Sequence, residues 1–234
     1  MIRWEPPGPY RIGFTTRVGG VSEGPYASLN LGQMLGDDPE RVDENRRRAC
    51  AAIGADPERL AMNFQRHTTH VHRAQPGVRG DEVGDGLWTD EPGVPVLALT
   101  ADCLPIALAR VNGNGPALGV LHAGWRGLLA GLVEAGVAAL GGSAVAAAIG
   151  PSIGPCCYEV GEDVARPFRA RFGRDVVRSG RLDLPGAAEQ ALREAGCVSV
   201  ERLDLCTSCL PDLFFSYRRD GKPRGGQGVI GHIA

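Results

Sequence analysis

Apolar residues gather in short runs along this chain, and the runs differ in kind. Tyr10–Thr16 reads as a strand, closed by a glycine turn at Gly19–Gly20. From Asp38 to Ile53 the pattern reads as a helix. Asp37 or Asp38 can cap it, Pro39 suits its first turn and Gly54 stops it. Met62–Ala74 alternates again and reads as one strand with His67 inside it. Val94–Leu99 and Leu104–Ala109 read as an apolar hairpin, broken by Thr100-Ala101-Asp102-Cys103. Next come a strand over Ala117–Leu121, a helix over Leu128–Leu140 and a strand over Ala144–Ile149. Gly113-Asn114-Gly115 precedes this unit, and Gly141-Gly142 ends its helix. Strand, helix and strand at this spacing predict a right-handed parallel crossover. Helices follow near Glu162–Arg171 and Gly186–Ala195, then a short strand over Val198–Leu203. Phe214–Asp220 reads as a strand with Arg218 and Arg219 on opposite faces. The mixture predicts α/β or α+β layers around an at least partly mixed sheet.

No repeat, charge block or Ser-rich linker divides the 234 residues, so the expectation is a single domain over 1–234. The hydrophobic fraction of 43% and charged fraction of 22% are ordinary for a soluble globule. The 34 glycines and 17 prolines imply many turns. A net charge of −2 argues against a broad basic footprint for nucleic acid or an anionic membrane. No apolar run reaches the roughly 18 residues of a membrane helix, and the N-terminal stretch lacks an apolar signal core. A soluble, cytoplasmic protein is expected.

Seven cysteines and five histidines carry the candidate chemistry. An unsecreted chain of this length needs no disulfides, so reduced thiols are expected, some of them metal ligands or nucleophiles. Three segments place polar residues at strand ends beside glycine or proline: Thr100–Pro105, His122–Gly127 and Gly150–Gly161. If the strands before and after them are neighbours, Cys103 and His122 converge. A converging cysteine and histidine can be a nucleophile with its base or part of a metal site. The bland alternative is a buried thiol and a core histidine. His67, His70 and His72 lie close together, and strand alternation cannot say which would join the pair. Arg17, after the first strand, and Arg126, at a helix start, can grip an anion. Cys206-Thr-Ser-Cys209 is a C-x-x-C without a second pair, and Cys156-Cys157 is not spaced like ligands. Both read as reduced thiols near turns.

Together these segments resemble the laccase-domain purine nucleoside phosphorylase family, whose bacterial members are also described as polyphenol oxidases or peptidoglycan-editing factors. The carrying stretches are TTRVGGVSEGPYASLNLG, GDDPERVDENR, QRHTTHV, DGLWTD, TADCLP, HAGWRG, IGPSIGPCCYEVG, DLCTSC and FFSYRRDG. The resemblance implies a layered α/β sandwich that is not a cupredoxin. It implies a metal on His67, Cys103 and His122, zinc(II) first and copper second, with His70 and His72 as bystanders. It implies phosphorolysis of adenosine, inosine or methylthioadenosine, with adenosine deamination beside it. In that scheme Asp102 is the candidate general acid and Cys103 and His122 sit at the reacting centre. Arg17 and Arg126 would hold phosphate, and Tyr158 and Glu159 would contact base or ribose. Two positions depart from the family pattern: Met34 replaces a frequent histidine, and Gly226 replaces an arginine. The rivals are a copper-dependent phenol oxidase, a hydrolase of cell-wall precursors using Cys103 and His122, and a metal-binding accessory protein.

Overall fold

The computed structural model describes every residue except Asn114, Gly142 and Ser143. Two of the expected turn positions, Asn114 and Gly142, therefore lie outside the described residues. The strands are β1 (Ile2–Trp4), β2 (Tyr10–Phe14), β3 (Ala61–Phe64), β4 (Val71–Arg73), β5 (Arg79–Val83), β6 (Gly86–Thr89) and β7 (Val96–Thr100). They continue as β8 (Leu104–Arg110), β9 (Leu118–Ala123), β10 (Val145–Ile149), β11 (Val177–Arg178), β12 (Arg181–Leu182), β13 (Ser199–Arg202) and β14 (Gln227–Ile233). The helices are α1 (Pro39–Ile53), α2 (Trp125–Ala130), α3 (Leu132–Ala139), α4 (Glu162–Phe172), α5 (Leu184–Glu194) and α6 (Tyr217–Asp220).

Two mixed sheets carry the fold, in the orders β1-β2-β14-β7-β3-β5 and β13-β10-β8-β9-β6-β4. They pack face to face, with α1 on the outer side of the first sheet and α2–α5 on the outer side of the second. The alternation along the central strands shows the reason. On β8, Ile106 and Leu108 join the cluster under α2–α5, whereas Ala107 and Ala109 face the first sheet. On β10, Val145, Ala147 and Ile149 take the helix side, and Ala146 and Ala148 the inter-sheet side. Strands buried on both faces read as continuous apolar runs, and these do. Alanines between the sheets leave room for Phe14, Tyr10 and Trp4 from the opposite side. Helix α1 covers the first sheet's outer face through Ala49, Cys50 and Ile53. Its ends are those expected: Asp38 accepts from the Glu40 N–H, and Gly54 takes the left-handed conformation (φ 72°).

Four expectations about local structure are corrected. Met62–Ala74 is not one strand: β3 belongs to the first sheet and β4 to the second, and His67 turns between them with φ 60°. β7 and β8 are not a hairpin but partners in different sheets. Period-2 alternation is the same in either sheet, so it cannot reveal a crossing. The helix after β9 breaks at Gly131 (φ 99°), giving α2 and α3. Residues 217–220 form a short helix instead of a strand, because Ser216 accepts the Arg219 N–H and caps it. The β9–helix–β10 crossover is present: both strands run antiparallel to β8, which lies between them, and so parallel to each other.

Candidate metal centre

Three segments distant in sequence meet at one end of the sheet pair. His67 lies in the crossing from β3 to β4, Cys103 in the crossing from β7 to β8, and His122 near the end of β9. The β8–β9 register sets Pro105 opposite His122 and Leu104 opposite Ala123. That pairing brings Cys103 to His122, the convergence that depended on neighbouring strands. The donor atoms of His67, Cys103 and His122 lie within 4.8 Å of one another. Cys103 Sγ is 3.7 Å from His67 Nε2. Ligand arms of about 2.0–2.3 Å around a tetrahedral ion give a sulfur–nitrogen edge of about 3.6 Å, so the donor set fits one transition-metal ion. The glycine of HAGWRG has a local cause. A Cβ on Gly124 would fall 2.5 Å from His67 Cδ2 and 3.1 Å from Cys103 Sγ.

One residue that the sequence reading left without a role organises this cluster. Asp85 is 2% exposed. Its Oδ1 accepts from His122 Nδ1 at 2.7 Å, which turns Nε2 toward the shared centre. Its Oδ2 accepts from the backbone N–H of Arg66 (3.1 Å) and Thr68 (2.6 Å) and from the Thr68 hydroxyl (2.9 Å). Asp85 thus fixes both the ring of His122 and the turn that carries His67. Gln65 anchors the other side of that turn. Its amide exchanges hydrogen bonds with the backbone of Leu99, at 2.7 and 2.8 Å, as a ladder residue would. These bonds hold His67 in a left-handed conformation that costs a non-glycine residue about 1–3 kcal/mol. The available signal was the DGLWTD stretch, which begins at Asp85.

The charges of the cluster favour a bound cation. Burial raises the Cys103 thiol, but the charge of His122 and hydrogen bonds from His122 and His67 outweigh it, and the thiol falls to about 6. Burial lowers His122, while Cys103 and Asp85 pull it up to about 9. Burial also raises Asp85. The hydrogen bonds from His122, Thr68 and Arg66 prevail and hold its carboxyl well below the usual range. Without a metal the result is a thiolate–imidazolium pair backed by the Asp85 carboxylate, and a bound metal ion takes the place of the imidazolium proton.

The cluster opens into a cavity of about 720 Å³. Arg46, Arg79, Arg126, Arg218, Lys222 and Arg224 line it. Arg224 is half-buried and its Nε has no hydrogen-bond partner among the described residues. So concentrated a set of cations in a slightly acidic protein makes a local anion trap.

The sequence-predicted residues divide. Arg126 reaches the cavity, stacked 4.1 Å over the Trp125 ring. Tyr158 also lines it; burial pushes its phenol up to about 12, so it stays a neutral donor. Asp102 lines it too, with φ 91°, but both carboxylate oxygens are engaged. Oδ1 accepts from Thr207 Oγ1 and Oδ2 from the Arg218 N–H, each at 2.6 Å. That geometry ties Asp102 to the Thr207 and Arg218 segments instead of leaving a proton donor free. Arg17 stands outside the cavity wall. It donates to the carbonyls of Ala27 and Pro211, at 2.7 and 3.0 Å, and covers Phe215. Glu159 also lies outside the wall; its backbone carbonyl accepts from Arg218 Nη1 at 3.0 Å and its side chain is exposed. Arg126 is the second residue of a helix of six, too short to supply the long dipole assumed for an anion site. His72 is occupied by Glu82 and the Val83 carbonyl, and His70 meets it edge to face, away from the cluster. Met34 and Gly226 both line the cavity.

Fold and site together set three candidate metal ligands at the mouth of a cation-lined cavity, at one end of two packed sheets. The chain belongs to the family described as multi-copper polyphenol oxidoreductase laccase, whose model matches residues 11–232. It is 35% identical over 226 residues to the purine nucleoside phosphorylase YfiH of Escherichia coli, covering 93% of this chain and 92% of that protein. It is 42% identical over 221 residues to a purine nucleoside phosphorylase of Deinococcus radiodurans, covering 91% and 85%. The crystal structure of YlmD from Geobacillus stearothermophilus superposes with a TM-score of 0.87 at 34% identity, covering 97% of this chain and 93% of that one. The Neisseria meningitidis protein NMB0706 gives 0.87 at 33% identity, covering 99% and 97%. The layered α/β architecture is shared with these structures and is not a cupredoxin barrel. Among the described residues, no helix is long and apolar enough to cross a membrane.

Proposed function

We propose that this protein is a zinc-dependent phosphorylase of purine nucleosides, with adenosine deamination at the same centre. One observation carries the reading: His67, Cys103 and His122 open directly into a cavity lined by basic side chains. The names of the relatives support it. The three residues would hold zinc(II), which supplies a Lewis acid and, through a lowered water pKa of about 7, a nucleophile for deamination. Arg126, Arg218, Lys222 and Arg224 are the candidates to bind and orient phosphate. In phosphorolysis a phosphate oxygen bonds to C1′, the C1′–N9 bond breaks, and the purine leaves with the electron pair and a proton. Tyr158, as a neutral phenol, would donate to a purine or ribose acceptor. Asp102 would act as a positioning residue, by tying the Thr207 and Arg218 segments to the cavity wall.

The oxidase reading draws on the family's description and on a donor set that copper also accepts. A multi-copper centre needs further histidines. Among the described residues His70, His72 and His232 are placed elsewhere. The hydrolase reading would use the Cys103 thiolate without metal. Metal content and product analysis separate these. Adenosine is incubated with and without phosphate, and adenine, ribose 1-phosphate, inosine and ammonia are followed. Phosphate-dependent adenine release by zinc-loaded protein is expected. Full turnover after metal removal, or oxygen consumption with a phenol in place of base release, would overturn the reading.

A further inference from the structure

A second thiol cluster lies outside the cavity. Cys156 and Cys157 sit in the turn after β10, and Cys206 and Cys209 in the turn after β13. β10 and β13 are parallel neighbours, paired from Ala146–Ser199 to Ile149–Arg202. Their loops leave side by side, and the pairing continues beyond the strands. Ser152 N–H donates to the Leu205 carbonyl (3.1 Å), and Thr207 N–H to the Ser152 carbonyl (3.0 Å). The four sulfurs lie within 4.8 Å of one another. Cys209 Sγ is 3.5 Å from Cys156 Sγ and 3.3 Å from Cys157 Sγ.

The spacing selects among chemistries. A disulfide needs about 2.05 Å between sulfurs. Zinc–sulfur arms of about 2.3 Å place the sulfurs of a tetrahedron about 3.8 Å apart. An iron–sulfur cluster distributes its thiolates over several irons and needs a wider frame. Cys206 Sγ also accepts a hydrogen bond from the Gly154 N–H at 3.4 Å, which favours a thiolate over a thiol. Adjacency of Cys156 and Cys157 in sequence hid this site, because ligand spacing is read within one segment and here two segments contribute.

We propose that Cys156, Cys157, Cys206 and Cys209 bind a second metal ion, zinc(II), in a closed four-thiolate site that staples the two loops together. Binding replaces the four thiol protons with one ion and releases them to solvent. Four protein donors fill the tetrahedron and leave no position for a substrate, so the site is structural. Its position gives it a task. Tyr158 follows Cys157 into the cavity wall, and Thr207 follows Cys206 and donates to Asp102. Arg218 binds the carbonyls of Cys157 and Glu159, and Arg219 those of Thr207 and Ser208. The staple thus holds one wall of the cavity in register. It does not depend on the phosphorylase reading, since any activity of the first centre would leave it unchanged.

The test uses the full chain, produced with zinc and purified without chelator. Metal equivalents are measured for wild type, Cys103→Ser and the Cys206→Ser/Cys209→Ser double variant. Two equivalents in wild type and one in each variant are expected. Should the double variant not fold, the Cys103→Ser protein decides alone. Its one remaining zinc should be released by a mercurial in step with four thiols. When refilled with cobalt(II), it should show an intense thiolate charge-transfer band. A Cys103→Ser protein that holds no zinc, a folded double variant that keeps as much zinc as wild type, or a peptide map showing disulfides among the four cysteines would overturn the proposal.

Discussion

The two sulfur-bearing clusters are built on opposite plans. The first draws a residue each from three segments, two of them crossings between sheets, and it has three donors, a left-handed histidine and an open cavity in front. The second draws two cysteines from each of two loops that leave neighbouring parallel strands, and its four donors are all sulfur. An incomplete donor set beside a cavity leaves an ion reactive, whereas a complete set makes it a fastener. The contrast also separates strain from order. The first centre has His67 and, next to Cys103, Asp102 at positive φ, held there by Asp85, Gln65, Thr207 and the Arg218 backbone.

The contrast can be broken most sharply at Cys103. Cys103→Ser should remove one metal equivalent and abolish turnover, while the fold, read by circular dichroism, stays. Equal metal content in variant and wild type would collapse the distinction. Gly124→Ala is next. Its new methyl group meets the His67 ring at 2.5 Å, so the histidine must move. Metal retention should fall to near that of Cys103→Ser, with little change at the four-cysteine cluster. Asp85→Asn should lower metal affinity at the first centre by about 10–100-fold, the usual effect of losing a partner behind a ligand. It also carries a pH signature. The Asp85 carboxyl is held below its ordinary range. Its stabilising contribution is therefore complete above about pH 3.9, the unfolded value, and fades as pH falls below it. Acid unfolding of the metal-free wild type should be steeper there than that of Asp85→Asn.

Smaller effects sharpen the picture. His122 and His67 lower the Cys103 thiol to about 6, so in metal-free protein its alkylation should rise with a midpoint there instead of at the ordinary value of about 8.5. Zinc should protect it. Arg126→Ala should raise the KM for phosphate about 10–100-fold, as expected for a lost charge-assisted contact of about 1.5–3 kcal/mol. Arg17→Ala should leave that KM alone and cost about 1–2 kcal/mol of stability, from two backbone contacts and the Phe215 stack. An Arg17 variant with altered phosphate dependence would show that the cavity extends further than its lining residues.

Legibility in the sequence followed the range of the interactions. α1 was readable because its cap, its stop and its apolar stripe all lie within the seventeen residues from Asp38 to Gly54. β8, β9 and β10 were readable as apolar runs because both of their faces are buried. Cys103 and His122 were foreseen to meet, since adjacent strands were a short inference away. Asp85 was not foreseen. Its partners His122, Thr68 and Arg66 lie 37, 17 and 19 residues away, and an aspartate before a glycine looks like any turn. Arg17 was misplaced for the converse reason: a solvated arginine, a carbonyl clamp and a phosphate ligand share one local pattern.

Residue order alone settled the donors on offer, the elements with local signals and the family resemblance. Those depend on covalent spacing, capping and periodicity, which act over a few residues. Which sheet each strand entered was left to tertiary structure, and with it whether four scattered thiols would meet; alternation could not choose among the histidines, and only the resemblance pointed to His67. Alternation at period two is identical on either sheet. Only burying both faces of both sheets at once selects the crossings, and the crossings place His67 and Cys103.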